Sequence, residues 1–243
     1  MGDFADKVVV VTGGAKGVGL GICDAFAREG AAVTCAARTA NQVSSTRDEI
    51  EKAGGRALSV PTDVTQPDLV ERMTGATVDA FGGLDILVVN AGVNTDRSEV
   101  EASDPSAWRQ VLEVNLVGAY NCVQAAIPHL KARGAGKIIT VGSGMGHRGL
   151  VGSSAYSCSK AGLWMLTRIL AMELWEDHIS VNELIPGPVA TAMNPARPDG
   201  SSSLGASEWA KTPDDVVPLA LFLATQPDVG PTAQSYSLMR RDA

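Results

Sequence analysis

Lys7-Val8-Val9-Val10-Val11-Thr12 runs directly into Gly13-Gly14-Ala15-Lys16-Gly17-Val18-Gly19. That junction decides the fold. The β-branched run shows no alternation of polar and apolar residues, so it reads as a strand buried on both faces, as in a parallel sheet. A helix is expected after the glycines, from about Leu20 to Glu29. Strand, glycine loop and helix together make the layout of a phosphate-binding turn. Glycines let the backbone approach a pyrophosphate, and the helix N-terminus supplies N–H groups and a positive dipole. The generic G-x-G-x-x-G spacing is not met, because the third glycine counted from Gly17 would fall on Ile22.

The same alternation continues outward along the chain. Ala32 to Ala37 reads as a second strand ending at Arg38, and Thr39 to Gln42 fits a capping box for a helix reaching about Ala53. Leu58-Ser59-Val60 is a short third strand, followed by Asp63 and Val64. Thr65 is expected to cap a helix reaching Phe81. Asp85 to Asn90 is a fourth strand, closed by Ala91-Gly92. Asp104-Pro105 opens a long helix running to about Lys131, with Asp as N-cap and Pro in the first turn. Lys137 to Val141 is a fifth strand ending in Gly142-Ser143-Gly144. Ile179 to Ile185 is a sixth, ending in Pro186-Gly187-Pro188. Thr212-Pro213-Asp214-Asp215 starts a last helix to about Thr225, and Gln234 to Leu238 reads as a seventh strand. This order predicts one α/β domain over 1–243: a doubly wound, Rossmann-type parallel sheet of about seven strands with helices on both faces. Ligands bind such sheets outside the carboxyl ends of the strands. Gly13 to Gly19, Arg38, Asp63, Asn90 to Gly92, Ser143 and Pro186 all fall there. The Pro-, Gly- and Ser-rich stretch from Pro195 to Gly205 would overhang that edge, within a substrate lid at about 190–211.

Composition narrows the function classes. The chain has 243 residues, 45% hydrophobic and 19% charged, with a net charge of −7. An acidic balance without a Lys/Arg-rich run argues against a nucleic-acid partner. No apolar run approaches membrane-spanning length, so no membrane partner is expected. The first residues show no basic region followed by an apolar one, so no secretory leader is expected. Cys23, Cys35, Cys122 and Cys158 form no C-x-x-C pair and read as buried, reduced thiols of a cytoplasmic protein. His129, His147 and His178 have no metal-ligand spacing, and no metal is required. His147 reads as an exposed loop residue.

Tyr156 and Lys160 lie four residues apart at the start of a helical stretch, so both side chains fall on one face. An ammonium beside a phenol favours the phenolate and lowers its pKa, which suits a general acid or base. Ser143 precedes Tyr156 by thirteen residues and sits in a glycine-rich turn. It is no nucleophile elbow, since Val141 and Met145 flank it where glycines would be needed. Asn115 falls on the apolar stripe of the long helix, where a buried amide needs partners.

These residues resemble the short-chain dehydrogenase/reductase family, of the 3-oxoacyl-reductase-like, NADP-preferring type. Thr12 to Gly19 is similar to its T-G-x-x-x-G-x-G cofactor motif, and Asn90-Ala91-Gly92 to its N-A-G. Tyr156 and Lys160 match Y-x-x-x-K, Ser143 has the usual spacing, and Asn115 takes the place of the helix asparagine. Pro186-Gly187, with Val189 and Thr191, looks like the segment that meets the nicotinamide. The resemblance implies catalysis by Asn115, Ser143, Tyr156 and Lys160. It implies nucleotide contacts from Gly13, Lys16, Gly17, Val18, Gly19, Arg38, Asp63, Val64, Asn90, Ala91, Gly92, Tyr156, Lys160, Pro186, Gly187, Val189 and Thr191. Lys160 would also hold the nicotinamide ribose. Arg38 stands where NAD enzymes place a carboxylate, and with Lys16 it favours NADP(H), with NAD(H) possible.

The substrate expected is a small carbonyl compound or alcohol, against a wall of Asn94, Met145, Val151, Met193 and Trp209. Reduction of a C=C bond and a non-catalytic NADP-binding regulator are the alternatives. The family also implies a homo-oligomer paired through the long helix and the helix after Tyr156, a tetramer ahead of a dimer. The C-terminal Ser235 to Arg241 departs from the family's D-G-G motif.

Overall fold

The computed structural model describes residues 2–194, 201–202 and 205–239. Strand β1 (Val8–Thr12) is buried along its whole length, as its valine run requires. In chain order there follow α1 (Gly17–Arg28), β2 (Ala32–Ala37), α2 (Ala40–Lys52), β3 (Arg56–Pro61), α3 (Pro67–Phe81) and β4 (Ile86–Val89). The second half holds α4 (Pro105–Leu112), α5 (Gly118–Ala132), β5 (Gly136–Val141), α6 (Gly144–Arg148), α7 (Ser154–Glu173) and β6 (Ile179–Ile185). A small hairpin, β7 (Ser201–Ser202) with β8 (Gly205–Trp209), precedes α8 (Val217–Thr225) and β9 (Ser235–Ser237).

Seven strands form one parallel sheet in the order β3-β2-β1-β4-β5-β6-β9. The order reverses between β1 and β4, the crevice where such sheets bind ligands. Alternate β1 side chains point to opposite faces. Val9 and Val11 pack with Ile22 and Phe26 of α1 and Leu223 of α8. Val10 packs with Met73 of α3, Leu130 of α5 and Leu163 of α7. Two helical layers thus cover the sheet, each burying apolar side chains worth roughly 1.5–3 kcal/mol apiece.

Several boundaries differ from the sequence expectation. Helix α1 begins at Gly17, not near Leu20, because its glycines form the first turn rather than precede it. Thr39 makes no side-chain cap. Thr65 does not cap α3, since its N–H and hydroxyl both donate to Asp63 Oδ1, at 3.0 and 2.8 Å. The helix starts two residues later, with Pro67 in its first turn. Asp104 does cap α4, accepting from Ser106 N at 2.8 Å. The long helix is interrupted by a π-helical segment, Glu113–Val117, that joins α4 to α5. Thr212 and Asp215 form a capping box around a 3₁₀ turn, and α8 starts just after it. Cys23, Cys35 and Cys122 are buried, but Cys158 is exposed on α7, contrary to the expectation for it. Burial pushes the Cys122 thiol up to about 12. Of the proposed lid, 195–200 and 203–204 lie outside the described residues, as do Arg240 and Arg241 of the tail.

Candidate active site

The end of β1 and the end of β4 are locked together by one threonine. Thr12 Oγ1 accepts from Asn90 N at 3.0 Å and Ala91 N at 3.1 Å. Asn90 Nδ2 donates back to Thr12 O at 2.8 Å. The glycine turn lies against this lock. Gly13 and Gly17 have φ of 66° and 52°, a region that favours glycine. A Cβ at Gly19 would collide with Gly13 O and Asn90 Nδ2, so the helix can sit this close only with glycine there. No side chain caps α1. Its first-turn N–H groups therefore remain for an anion, and the residues present fit the pyrophosphate of a dinucleotide.

Ser143 lies two residues past β5 and caps α6, accepting from Met145 N at 3.2 Å. Its side chain lies near enough to that of Tyr156 on α7 to act on the phenol. Burial raises the phenol's pKa; Ser143 and the positive charge of Arg97 pull it partly back. Lys160 is not among the groups that shift it, which differs from the sequence expectation. The reason is where the lysine goes. Its Nζ donates to Val141 O at 2.7 Å and lies 5.8 Å from the Tyr156 ring centroid. Burial also weakens its charge, lowering its pKa to about 8 against a partial pull upward from Glu183.

Asn115 lies in the π segment and is buried. Its Oδ1 accepts from Val93 N at 2.7 Å, and its Nδ2 donates to Val93 O at 2.9 Å and Ser159 Oγ at 3.0 Å. It ties the loop after β4 to α7, one residue from the lysine. A π segment at such a place is a common companion of functional sites.

A cavity of about 830 Å³ joins these parts. It is lined by Gly13, Lys16, Gly17 and Val18, by Asn90 to Gly92, by Ser143, Tyr156 and Lys160, and by Pro186, Gly187, Val189 and Thr191. Of the expected substrate wall, Asn94, Met145, Val151 and Met193 line it. Trp209 does not: it is 85% exposed, because β8 turns it outward. Arg38, Asp63 and Val64 stand at the ends of β2 and β3, outside this cavity. Asp63 is occupied by Thr65, and Val64 O accepts from Asn121 Nδ2 at 2.9 Å. Gly19 and Asn115 support the lining from behind.

Four charged groups near the cavity were not singled out from the sequence. Arg97 lines it and donates to Met193 O at 2.8 Å. Arg148 and Glu208 line it and approach each other at 4.0 Å. Glu183 is completely buried on β6. The signal for Glu183 was present, as a carboxylate inside the strand Ile-Ser-Val-Asn-Glu-Leu-Ile, which is buried along its whole length. His147 is exposed as expected, but it lies in α6 rather than a loop, and its Nε2 pairs with Glu183 Oε2 at 2.9 Å.

Residues 7–201 match the family described as short chain dehydrogenase. Cis-4-hydroxycyclohexanecarboxylate dehydrogenase of Sinomonas cyclohexanicum is 37% identical over 230 residues, covering 91% of this chain and 90% of that protein. The 3-oxoacyl-(acyl-carrier-protein) reductase FabG of Chlamydia muridarum is 31% identical over 245 residues, covering 97% and 96%. Among solved structures, a dehydrogenase/reductase from Sinorhizobium meliloti 1021 superposes with a TM-score of 0.87 at 34% identity, covering 96% of this chain and 94% of that one.

Proposed function

The chain belongs to the short-chain dehydrogenase family, and from that premise we propose an NADP(H)-dependent carbonyl reductase or alcohol dehydrogenase with Tyr156 as its acid/base. Membership makes it an oxidoreductase of alcohols and ketones that uses a nicotinamide cofactor. The finer reading rests on one observation above all. Ser143 and Tyr156 stand together in the cavity that opens onto the glycine turn, with Lys160 one helical turn away.

The bound nicotinamide supplies the hydride or accepts it. Gly13 to Gly19 and the α1 N-terminus hold the dinucleotide by its pyrophosphate. Ser143 and Tyr156 hydroxyls donate hydrogen bonds to the substrate oxygen, where negative charge develops. Tyr156 passes its proton to that oxygen in reduction and takes it back in oxidation. The Lys160 ammonium, anchored on Val141 O and 5.8 Å from the tyrosine ring, would hold the nicotinamide ribose, and Asn115 fixes the loop and helix that carry both groups. No described helix is long and apolar enough to cross a membrane.

The substrate reading turns on Arg97. The guanidinium stands at the cavity near enough to Tyr156 for its charge to act on the phenol. A carbonyl compound that also carries a carboxylate would reach both groups, and the relative from Sinomonas cyclohexanicum is named for a hydroxycarboxylate. The test is a panel of oxo- and hydroxy-carboxylates with their neutral esters and matched enones, read by nicotinamide absorbance. Turnover of the carbonyl compounds is expected, with the carboxylates ahead. Arg97→Gln should raise KM for the carboxylates by about tenfold, the loss of one charge-assisted bond, and leave the esters nearly unchanged. Turnover of enones alone, or of nothing, would overturn the reaction assigned here. An equal effect of Arg97→Gln on acids and esters would reduce that residue to a latch on Met193.

The α5 and α7 helices leave apolar side chains in water. Tyr120 is 50% exposed, Met165 47% and Met172 70%. These support the homo-oligomer in which the two helices pair across a two-fold axis. The lid proposal at 190–211 is supported by the position of Thr191 and Met193 on the cavity wall. Sedimentation at micromolar concentration is expected to give a tetramer, or a dimer if the atypical tail removes the second contact. A monomer alone would end the proposal.

A further inference from the structure

Glu183 is the one ionisable residue of its strand. All of β6 is buried, with Ser180 and Asn182 as its other polar residues, and Glu183 itself has no exposed surface. A buried carboxylate is expensive to desolvate unless it is paired and hydrogen-bonded. One oxygen is satisfied. Oε2 accepts from Ser235 Oγ of β9 at 2.6 Å and pairs with His147 Nε2 of α6 at 2.9 Å. The other, Oε1, has no hydrogen-bond partner among the described residues. It lies against Gly142, where any Cβ would collide with it. Gly142 follows Val141, whose carbonyl anchors Lys160 Nζ, and precedes Ser143. The unpaired oxygen is therefore tucked under the one backbone turn that connects the lysine's anchor to the serine.

The lysine has the complementary difficulty. Lys160 is only 4% exposed, and no carboxylate of the described residues lies within ion-pair distance of it. A buried carboxylate and a buried lysine thus flank the same turn, one against Gly142 and the other on Val141 O. We propose that Glu183 is a positioning residue: held by His147 and Ser235, it is the counter-charge that keeps Lys160 an ammonium. Burial alone drives the lysine toward its neutral form, and the negative charge of Glu183 is the group that opposes this. His147 is in turn fixed by Trp164 of α7, with ring centroids 5.0 Å apart. The other titratable or charged groups facing the pair are Tyr156 of α7 and Arg97 of the loop after β4, with Arg168 of α7 beyond Trp164.

The electrostatic part of the proposal is independent of the reaction; its effect on turnover rests on the oxidoreductase reading. Both can be measured on the full chain. With ¹³C-lysine labelling, the Lys160 signal is identified by its loss in Lys160→Met and titrated in wild type, Glu183→Gln and Glu183→Val. Glu183→Gln retains shape and hydrogen bonds; Glu183→Val replaces a buried charge by an apolar group, a change folds commonly accept. Lys160 has a lowered pKa, so its ammonium is present below about 8 and lost above. Removing the carboxylate should lower that midpoint by about one further unit. The alkaline limb of carbonyl reduction should move down with it, while turnover well below the limb changes little. A Lys160 midpoint unmoved in both variants overturns the proposal. A midpoint that moves without the limb overturns its link to turnover, as does a uniform fall in kcat at every pH. A wild type without turnover counts against the oxidoreductase reading instead, and the titration still decides the counter-charge.

Discussion

Replacing Tyr156 with phenylalanine is expected to cut turnover by about 10²–10⁴-fold, the usual range for a positioned acid or base. The ring keeps its place on α7, so the fold should hold. Ser143 still accepts from Met145 N, which limits the stability change to about 1 kcal/mol. The pH dependence follows from the shifts themselves. Burial raises the phenol's pKa, so Tyr156 remains protonated through neutral pH and is ready to donate in the reduction direction. Lys160 reaches neutrality first, near 8. Carbonyl reduction should therefore fall as pH rises through that value, with the tyrosine limb lying above it. Alcohol oxidation needs the phenolate and should be slow at neutral pH, rising until Lys160 discharges. A Phe variant that keeps more than about a third of wild-type turnover would remove Tyr156 from the mechanism, and the assay needs only the substrate pair that wild type uses best.

The strand–glycine–helix junction was readable because each level of the sequence agrees with the next there. A continuous valine run, clustered glycines and a helical period admit few other folds. The same holds for Tyr156, Ser143 and Asn90, whose spacing places them at strand ends or on one helix turn. Two kinds of feature were not readable. The cap proposed at Thr65 failed because a threonine hydroxyl has several local partners, and Asp63 outcompeted the helix for it; the Thr39 hydroxyl simply makes no cap. Side-chain pairings across long sequence gaps were also hidden. His147 and Glu183 lie 36 residues apart, and only the adjacency of β5 and β6 brings them together. The lysine's effect on the tyrosine shows the same limit. Helical spacing put Tyr156 and Lys160 on one face, but it could not reveal that Lys160 is buried and turned toward Val141.

Changing Arg38 to aspartate is expected to reverse the choice of cofactor. Strand β2 ends in Cys35-Ala36-Ala37, with no acid to hold an adenosine ribose 2′-OH. Arg38 follows as an exposed residue, and its guanidinium has no hydrogen bond or ion pair with the described residues. An arginine so placed can pair with a 2′-phosphate through two parallel hydrogen bonds, whereas a carboxylate would repel it. Lys16 adds a second cation from the glycine turn, exposed and on the cavity wall. Its contribution is weaker, since a flexible ammonium acts as a point charge rather than a fork. Hydrogen bonds to charged groups contribute about 1.5–3 kcal/mol, so Arg38→Asp should weaken NADPH binding roughly ten- to a hundredfold. NADH binding should hold or improve, because the new carboxylate can accept from the ribose hydroxyls. Because Arg38 lies outside the cavity that holds Ser143 and Tyr156, turnover at saturating NADH should remain close to that of wild type. Titrations of both proteins with NADPH and NADH, followed by nicotinamide fluorescence, measure all four affinities. Equal wild-type affinities for the two cofactors would remove the preference, and an undiminished NADPH affinity in the variant would show that Arg38 does not meet the phosphate. A loss of both cofactors together would instead trace to the end of β2 itself, whose backbone carries Gly14 N to Ala36 O at 3.0 Å and so supports the glycine turn whichever nucleotide is bound.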